Sequence, residues 1–209
     1  MAGTERSATA PGPERQPGLQ PALQFAPELL LKAQGAGLGL AAAIFDVDGV
    51  LTDGRIYIGE QGELFKAFST LDGHGIKLLA RAGIVPIVIT GRDSAAVRRR
   101  VADLGVQHAL FGAADKLAVA QPLLEGLGLG WAEVAAMGDD WPDLPLLRRA
   151  AFACAPPNAH AEVRAVVHHV TAATGGHGAV RECCDLLMMA AGRYAQSLQA
   201  HLTTLDGGP

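Results

Sequence analysis

The sequence predicts an α/β protein with a doubly wound, mostly parallel β-sheet, helices on both faces of the sheet, and a projecting β-hairpin. Short runs of apolar or β-branched residues alternate along the chain with patterns of helical period. The connections between these segments are short, which favours parallel strands joined by crossover helices. A glycine-containing interruption early in the alternation predicts the hairpin.

The elements follow one another in a regular order. Strands are predicted at residues 41–45, 84–89, 108–111, 134–137, 151–154 and 168–170. Helices are predicted at residues 26–33, 75–82, 94–104, 115–127 and 143–149, with a longer helix from 179 to about 200. Pro27 suits the first turn of the first helix, because its missing N–H has no helical partner there. The order is that of a Rossmann-like fold.

The chain ends and the hairpin interrupt this pattern. Residues 1–25 are rich in Pro, Ala, Gly and Gln and have no hydrophobic period, so we expect a disordered extension. The folded domain is predicted to span residues 26–200, followed by a flexible tail at 201–209. The hairpin arms are predicted at 55–58 and 63–67, on either side of the turn at residues 59–62.

Composition excludes several classes of function. The chain has 209 residues, 49% of them hydrophobic, and a formal net charge of -4. An acidic chain offers no basic field for nucleic acid, and no apolar run is long enough to cross a membrane. The first residues also lack a secretory signal pattern, so we expect a cytoplasmic protein. Three cysteines without a CxxC pair are expected to be free thiols: Cys154, Cys183 and Cys184.

Two carboxylates stand directly after the first predicted strand. Asp46 and Asp48 are separated by Val47 and followed by Gly49. Ligands of open α/β sheets bind beyond the carboxyl ends of the strands, and a glycine lets the backbone turn away there. The pair therefore predicts the floor of an active site.

Three further groups of polar residues follow later strands. Thr90-Gly91-Arg92 offers a hydroxyl, amides and a helix start to an anion, and Lys116 at a helix start offers a positive charge to a phosphoryl oxygen. Asp139, Asp140 and Asp143 lie within five residues after the fourth strand. Such a group of acids would repel one another unless a cation or Lys116 compensates them, and Mg²⁺ prefers these hard oxygen ligands. The four groups together predict a magnesium-dependent site for a phosphate.

The four groups resemble the motifs of the haloacid dehalogenase superfamily of phosphatases: Asp-x-Asp-Gly, Thr or Ser, Lys, and Gly-Asp-Asp-x-x-Asp. The closer resemblance is to the phosphatases of 3-deoxy-D-manno-octulosonate 8-phosphate, over residues 40–192. The segments that carry it are DVDGVLTDG, the hairpin, FSTLDGHGIK, ITGRDS, GDDWPDLP and GGHGAVREC. The resemblance implies a haloacid dehalogenase fold and hydrolysis of a sugar-acid phosphate in the cytoplasmic route to lipopolysaccharide.

The resemblance also implies roles for the site residues. Asp46 would be the nucleophile that forms an aspartyl-phosphate, and Asp48 would protonate the leaving alkoxide and then activate water. Thr90 and Lys116 would bind the transferring phosphoryl group. The Mg²⁺ ligands implied are Asp46, the backbone carbonyl of Asp48, and Asp139, supported by Asp140 and Asp143.

Substrate selection is expected around these motifs. Only the hairpin and one helix separate Asp53 from Thr90, so no cap domain fits there. The resemblance implies a homotetramer whose hairpins close each pocket. The segment between the hairpin and the next helix is expected to bind the sugar acid; its residues are Ser69, Thr70, Leu71, Asp72 and Gly73. The resemblance adds three basic residues, Lys77, Arg92 and Arg100. Further contacts are expected from Asp48, Gly91 and Lys116.

One departure from the family pattern and two alternative functions stay open at the level of sequence. Leu71 stands where some relatives carry an arginine, which leaves recognition of the sugar carboxylate to the basic residues. A sialic-type nine-carbon acid 9-phosphate is therefore an alternative substrate for the same chemistry. A binding protein without turnover is a third hypothesis, against which the intact motifs argue.

Overall fold

A computed structural model of the chain describes residues 21–34 and 39–204. The strands are β1 (Ala42–Phe45), β2 (Tyr57–Gly59), β3 (Gly62–Phe65), β4 (Val85–Ile89), β5 (His108–Leu110), β6 (Val134–Met137), β7 (Phe152–Ala155) and β8 (His169–Val170). The helices are α1 (Pro27–Ala33), α2 (Thr70–Arg81), α3 (Ala95–Leu104), α4 (Lys116–Gly126), α5 (Leu144–Leu147), α6 (Ala161–Val166), α7 (Ala179–Ala190) and α8 (Tyr194–Thr204).

The described strands form one six-stranded parallel sheet and one separate hairpin. The order in the large sheet is β5-β4-β1-β6-β7-β8, and β2 pairs antiparallel with β3. After β5 the chain crosses to the other side of β1, so the direction of winding reverses between β1 and β6. In open α/β sheets this switch point is where a ligand crevice forms. The predicted fold class and hairpin are confirmed.

Alternate residues of β1 point to opposite faces of the sheet and enter two separate cores. Ala43 and Phe45 belong to the core covered by α2, α3 and α7, in which Leu79 and Leu187 are fully buried. Ala42 and Ile44 belong to the core under α4, α5 and α6. All four residues of β1 are buried, as expected for a central strand covered on both faces. The strand end that carries Asp46 is therefore held rigidly.

Two helix boundaries differ from the prediction. Helix α2 begins at Thr70 rather than Gly75, because Ser69 Oγ accepts the N–H groups of Leu71 and Asp72 and caps the helix. The predicted helix from residue 179 to about 200 is interrupted: α7 ends at Ala190, and Gly192 adopts a φ of 68° before α8 begins.

Several sequence predictions concern the chain ends. Most of the predicted disordered extension, residues 1–20, and part of the predicted tail, residues 205–209, lie outside the described residues. Phe25 packs against the α2 and α7 core, and α8 extends to Thr204. Across residues 21–34 and 39–204, no helix combines the length and apolar character needed to cross a membrane.

Candidate active site

The loop after β1, residues 46–52, carries the first two carboxylates and is named the catalytic loop. The Asp46 N–H donates to Met137 O at 3.0 Å, which continues the β1 to β6 pairing to the sheet edge. Gly49 has a φ of 95°, and a Cβ there would lie 2.0 Å from Asp139 Oδ2. Only glycine lets this loop pass so close to the acid after β6. Thr52 Oγ1 donates to Val47 O at 3.3 Å and closes the loop.

Three carboxylates from two strand ends lie close together, and one ammonium group contacts two of them. Oxygens of Asp46, Asp139 and Asp143 lie within 4.8 Å of one another. Lys116, the first residue of α4, is buried and donates from Nζ to Asp46 Oδ1 at 2.6 Å and to Asp143 Oδ1 at 2.5 Å. The other oxygen of Asp143 accepts the N–H groups of Asp139 and Asp140, which fixes the loop after β6. The structure thus brings the first, third and fourth sequence motifs together.

The negative charge of this cluster exceeds its positive charge, and the pKa values reflect the imbalance. Burial, followed by repulsion from Asp143, raises the pKa of Asp46 to about 6, although Lys116 opposes the shift. Burial and repulsion from Asp46 and Asp143 raise the pKa of Asp139 to about 8. For Lys116, attraction to its two carboxylate partners outweighs the effect of burial and raises the pKa.

This donor set fits a magnesium ion. Mg²⁺ prefers carboxylate oxygens and binds through one or two of them, keeping waters or substrate phosphate as further ligands. Asp46 and Asp139 are suitably placed, and the raised pKa values show that the site favours a cation or protons. Asp143 is already engaged by Lys116 and two backbone amides, which suits a supporting role. The Asp140 side chain is exposed.

The second motif lies at the end of β4, beside β1 in the sheet. Thr90 is 1% exposed, and its backbone is fixed by hydrogen bonds to Leu110 O and from Ala113 N, both at 3.0 Å. Its hydroxyl accepts the N–H of Arg92 at 3.3 Å. Gly91 and Arg92 are exposed beyond it. A hydroxyl and turning amides lie at this point, where the sequence predicts an anion-binding arrangement.

Asp48 makes contacts that the sequence analysis missed. Its Oδ1 is in contact with Nζ of Lys66, which follows β3, and its Oδ2 lies 4.0 Å from Arg92 Nε. Lys66 Nζ also lies 3.3 Å from Glu63 Oε2, and Glu63 accepts a hydrogen bond from Ser94 Oγ at 2.5 Å. The apolar neighbours of Lys66 in the stretch LFKAF are the one sequence signal that this lysine could be buried.

The predicted sugar-binding segment has a different structure from the one expected. Residues 69–73 are the N-cap and first turn of α2 rather than a loop. Asp72 is 1% exposed, and its carboxylate accepts the N–H groups of Gly178 at 3.2 Å and Arg181 at 2.8 Å. This carboxylate therefore holds the start of α7 against α2, and burial raises its pKa. The geometry gives Asp72 a structural role and provides no support for a substrate contact.

Of the other predicted binding residues, Arg100 packs against another helix and three are exposed on α2. Arg100 donates to Ser69 O at 3.1 Å, and a Cβ at Gly73 would lie 2.2 Å from its guanidinium. It therefore packs on the first turn of α2. Thr70, Leu71 and Lys77 are exposed on α2.

A glycine-rich segment, residues 175–178, packs against the catalytic loop. A Cβ at Gly175 would lie 1.9 Å from Gly49 O. Asn158 joins the two segments, because its side-chain amide donates to Gly49 O at 3.0 Å and accepts the Gly175 N–H at 2.8 Å. Residues 175–178 belong to GGHGAVREC, one of the segments that carry the family resemblance. They also fix the backbone next to Asp48.

Known proteins are similar to this chain in sequence. The family model of haloacid dehalogenase-like hydrolases matches residues 111–182. The 3-deoxy-D-manno-octulosonate 8-phosphate phosphatase KdsC of Salmonella typhimurium is 40% identical over 171 residues, which is 82% of this chain and 89% of that protein. The chain belongs to the 3-deoxy-D-manno-octulosonate 8-phosphate phosphatase family. It is therefore a phosphoric monoester hydrolase of the haloacid dehalogenase superfamily.

Solved structures of this phosphatase family have the same fold. The enzyme from Moraxella catarrhalis, determined in complex with magnesium ion, phosphate ion and KDO, is 39% identical and superposes with a TM-score of 0.77, covering 85% of this chain and 98% of that one. The enzyme from Yersinia pestis is 38% identical with a TM-score of 0.76, covering 81% and 90%. The predicted family is confirmed.

Proposed function

We propose that this chain hydrolyses 3-deoxy-D-manno-octulosonate 8-phosphate, with Mg²⁺ as its cofactor and an aspartyl-phosphate on Asp46 as intermediate. The observation that carries the proposal is the convergence of four motifs at one sheet edge, in a chain 39% identical to an enzyme solved with magnesium, phosphate and KDO. The alternative, a sialic-type acid 9-phosphate, requires the same chemistry and is not favoured by the relatives described above.

The first half of the reaction begins at Asp46. An oxygen of its carboxylate attacks phosphorus, the bond from phosphorus to the sugar oxygen breaks, and Asp48 donates a proton to that oxygen. Lys116, 2.6 Å from the nucleophile, lies where it can offset the charge of the phosphoryl oxygens, and the Thr90 hydroxyl can donate to one of them. Mg²⁺ on Asp46, Asp139 and the carbonyl of Asp48 would supply Lewis-acid stabilisation of the same charge.

The second half releases phosphate. Asp48, now ionised, accepts a proton from water, whose oxygen attacks phosphorus and breaks the bond to Asp46. Asp46 must be ionised while Asp48 carries the proton, so the charge of Lys116 and of a bound cation would have to offset the raised pKa of Asp46. Asp46 lies in the buried acidic cluster beside Lys116, whereas the Asp48 side chain is 21% exposed and contacts Lys66.

A homotetramer is part of the proposal. The described residues contain no cap domain between β1 and β4, so water must be excluded from the site by another surface. The hairpin exposes large apolar side chains: Ile58 is 66% exposed, Leu64 65% and Phe65 52%. An apolar patch beside an active site marks an interface, and a second copy of the chain is the partner that the family resemblance implies.

Assays of purified protein against a panel of sugar phosphates test the substrate. We expect Mg²⁺-dependent release of phosphate, with the highest kcat/KM for 3-deoxy-D-manno-octulosonate 8-phosphate and loss of activity on chelation. A preference for the nine-carbon acid would overturn the proposed substrate. Trapping of phosphate on the protein in rapid-quench experiments tests the intermediate, with Asp46→Asn as the control that cannot form it.

Assembly is tested separately by Ile58→Lys, with Leu31→Lys as its match. Both side chains are about equally exposed, at 66% and 65%, but Leu31 lies on α1. We expect the hairpin variant alone to dissociate in sedimentation experiments and to lose activity. Dissociation without a fall in specific activity would refute the coupling. A cytoplasmic location, a role in lipopolysaccharide synthesis and domain limits at residues 26 and 200 stay predictions.

A further inference from the structure

Lys66 is the residue outside the four motifs that most directly contacts the proposed chemistry. It follows β3 at the base of the hairpin, on a segment whose neighbours Leu64 and Phe65 are largely exposed. The Lys66 side chain is nevertheless 0% exposed, and its ammonium contacts Asp48 Oδ1. Burying an ammonium is costly unless its partners compensate, so this placement requires a specific set of contacts.

Those contacts tie the hairpin to the helix after β4. Glu63 lies 3.3 Å from Lys66 Nζ through Oε2 and accepts the Ser94 hydroxyl at 2.5 Å through Oε1. Ser94 is the residue before α3, and Arg92 places its guanidinium 3.5 Å from Glu63 Oε2. The hydrogen bond from Ser94, together with Lys66, lowers the pKa of Glu63 and keeps it ionised. Lys66 is thus held between one carboxylate of the hairpin and one of the catalytic loop.

We propose that Lys66 is a positioning residue that sets the orientation of the Asp48 carboxylate and, through Glu63, makes the acid–base step depend on the hairpin. This inference rests on the role proposed above for Asp48. With Oδ1 engaged by Lys66, Oδ2 is the oxygen left to exchange a proton with the leaving group, and Arg92 lies 4.0 Å from it. Fixing one oxygen orients the other, as proton transfer to a bound substrate requires.

Burial separates this role from that of a substrate ligand. A lysine that bound the sugar acid directly would need a free face of its ammonium toward the pocket. Arg92, with 47% of its side chain exposed, meets that requirement, whereas the side chain of Lys66 has no exposed surface. Lys66 therefore acts through Asp48, and its removal should affect proton transfer more than substrate binding.

The dependence of the rate on the leaving group tests this. An alkyl phosphate such as the sugar phosphate needs a proton on its leaving oxygen, whereas p-nitrophenolate leaves without one. In single-turnover measurements of leaving-group release, we expect Lys66→Met to slow cleavage of the sugar phosphate about tenfold or more, while p-nitrophenyl phosphate slows less than about threefold. KM should change little. Glu63→Gln should show the same selectivity to a smaller degree.

The controls separate positioning from simple damage. Lys32→Met removes an exposed lysine on α1 and should leave both rates unchanged. If Lys66→Met fails to fold because Glu63 has lost its partner, the double variant Glu63→Gln/Lys66→Met removes both charges of that pair and must show the same selectivity. Equal slowing of both substrates, a rise in KM alone, or no change would each overturn the inference.

Failure of the proposed function is distinguishable in the same experiment. A wild-type chain that cleaves another alkyl phosphate instead of 3-deoxy-D-manno-octulosonate 8-phosphate would refute the proposed substrate, and the comparison of alkyl with aryl leaving groups would still test Lys66. A wild-type chain that cleaves no phosphomonoester would overturn both.

Discussion

Lys116→Met removes the positive charge at the centre of the acidic cluster. Methionine has nearly the length of lysine, so the perturbation is mainly electrostatic. In the wild-type chain the ammonium lies 2.6 Å from Asp46 Oδ1 and 2.5 Å from Asp143 Oδ1, with 4% of the side chain exposed. The variant leaves these two carboxylates without their shared cation.

The expected loss of stability follows from these distances. With an effective dielectric constant of about 20, each contact contributes about 6 kcal/mol before the cost of desolvation is subtracted. Removing one partner from a buried ion pair typically costs about 3–5 kcal/mol after that subtraction. We therefore expect the metal-free variant to unfold about 3–5 kcal/mol more easily at about pH 8, together with loss of turnover.

The loss should depend on pH in a defined direction. In the folded wild type the pKa of Asp46 is raised from its ordinary value of 3.8 to about 6. Protonation of Asp46 therefore stabilises the folded state, fully so below about pH 3.8, and this stabilisation is lost as the pH rises through about 6. Without Lys116 the Asp46 pKa rises further, so wild type and variant diverge above about pH 6. At about pH 5, Asp46 is mainly protonated in both, and the difference should shrink to about 1–2 kcal/mol.

Urea unfolding followed by circular dichroism measures this, with chelator present and protein concentration fixed. Lys32→Met, which removes an exposed charge on α1, should change the free energy of unfolding by less than about 0.5 kcal/mol. Mg²⁺ should restore part of the lost stability at the higher pH. A loss below about 1 kcal/mol at pH 8, or an equal loss at both pH values, would refute the electrostatic account.

Three other variants or conditions test neighbouring parts of the site. Asp46→Asn should abolish turnover, and turnover near the wild-type rate would exclude Asp46 as nucleophile. The midpoint of urea unfolding without metal at pH 8 should not fall, because the substitution removes a carboxylate that Asp143 repels. Titration calorimetry should show tighter Mg²⁺ binding at pH 8 than at pH 6, because Asp46 and Asp139 must lose protons to bind the ion and have pKa values of about 6 and 8. An affinity for Mg²⁺ that does not depend on pH would contradict this. Asn158→Ala should lower the free energy of unfolding by about 1–2 kcal/mol and weaken Mg²⁺ binding, because Gly49 O and Gly175 N lose their hydrogen-bond partner. An unchanged free energy of unfolding and an unchanged Mg²⁺ affinity would show that Asn158 does not stabilise the loop.

The sequence was sufficient for features set by local pattern. Phe45, Met137 and their neighbours read as buried strands, and parallel strands place their following residues at one edge, so the meeting of Asp46, Thr90, Lys116 and Asp139 was predictable. Long-range packing was not predictable in the same way. The helix was predicted to begin at Gly75, but it begins at Thr70, and Gly73 and Gly75 lie inside it with close contacts to Arg100 and Arg181.

The partners of individual side chains could also not be predicted from the sequence. The carboxylate of Asp72 resembles a ligand in a polar loop, yet it caps α7 more than a hundred positions along the chain, as the sequence separation of 106 to Gly178 shows. Lys66 resembles an ordinary charge on a hairpin, and only the fold places it against Asp48. The residues that follow a strand can be identified from the local sequence, whereas the side chains that contact them depend on the whole topology.

The contact of the glycine-rich segment with the catalytic loop has a consequence for folding. Asn158 is 109 positions from Gly49, so the loop that carries Asp46 and Asp48 receives its last restraints from a distant part of the chain. A nascent chain in which Asp143 has just been synthesised would already carry all four motifs but not the segment that braces the loop. Catalytic competence should therefore arise late during synthesis, only after residues 158–178 have folded onto the loop.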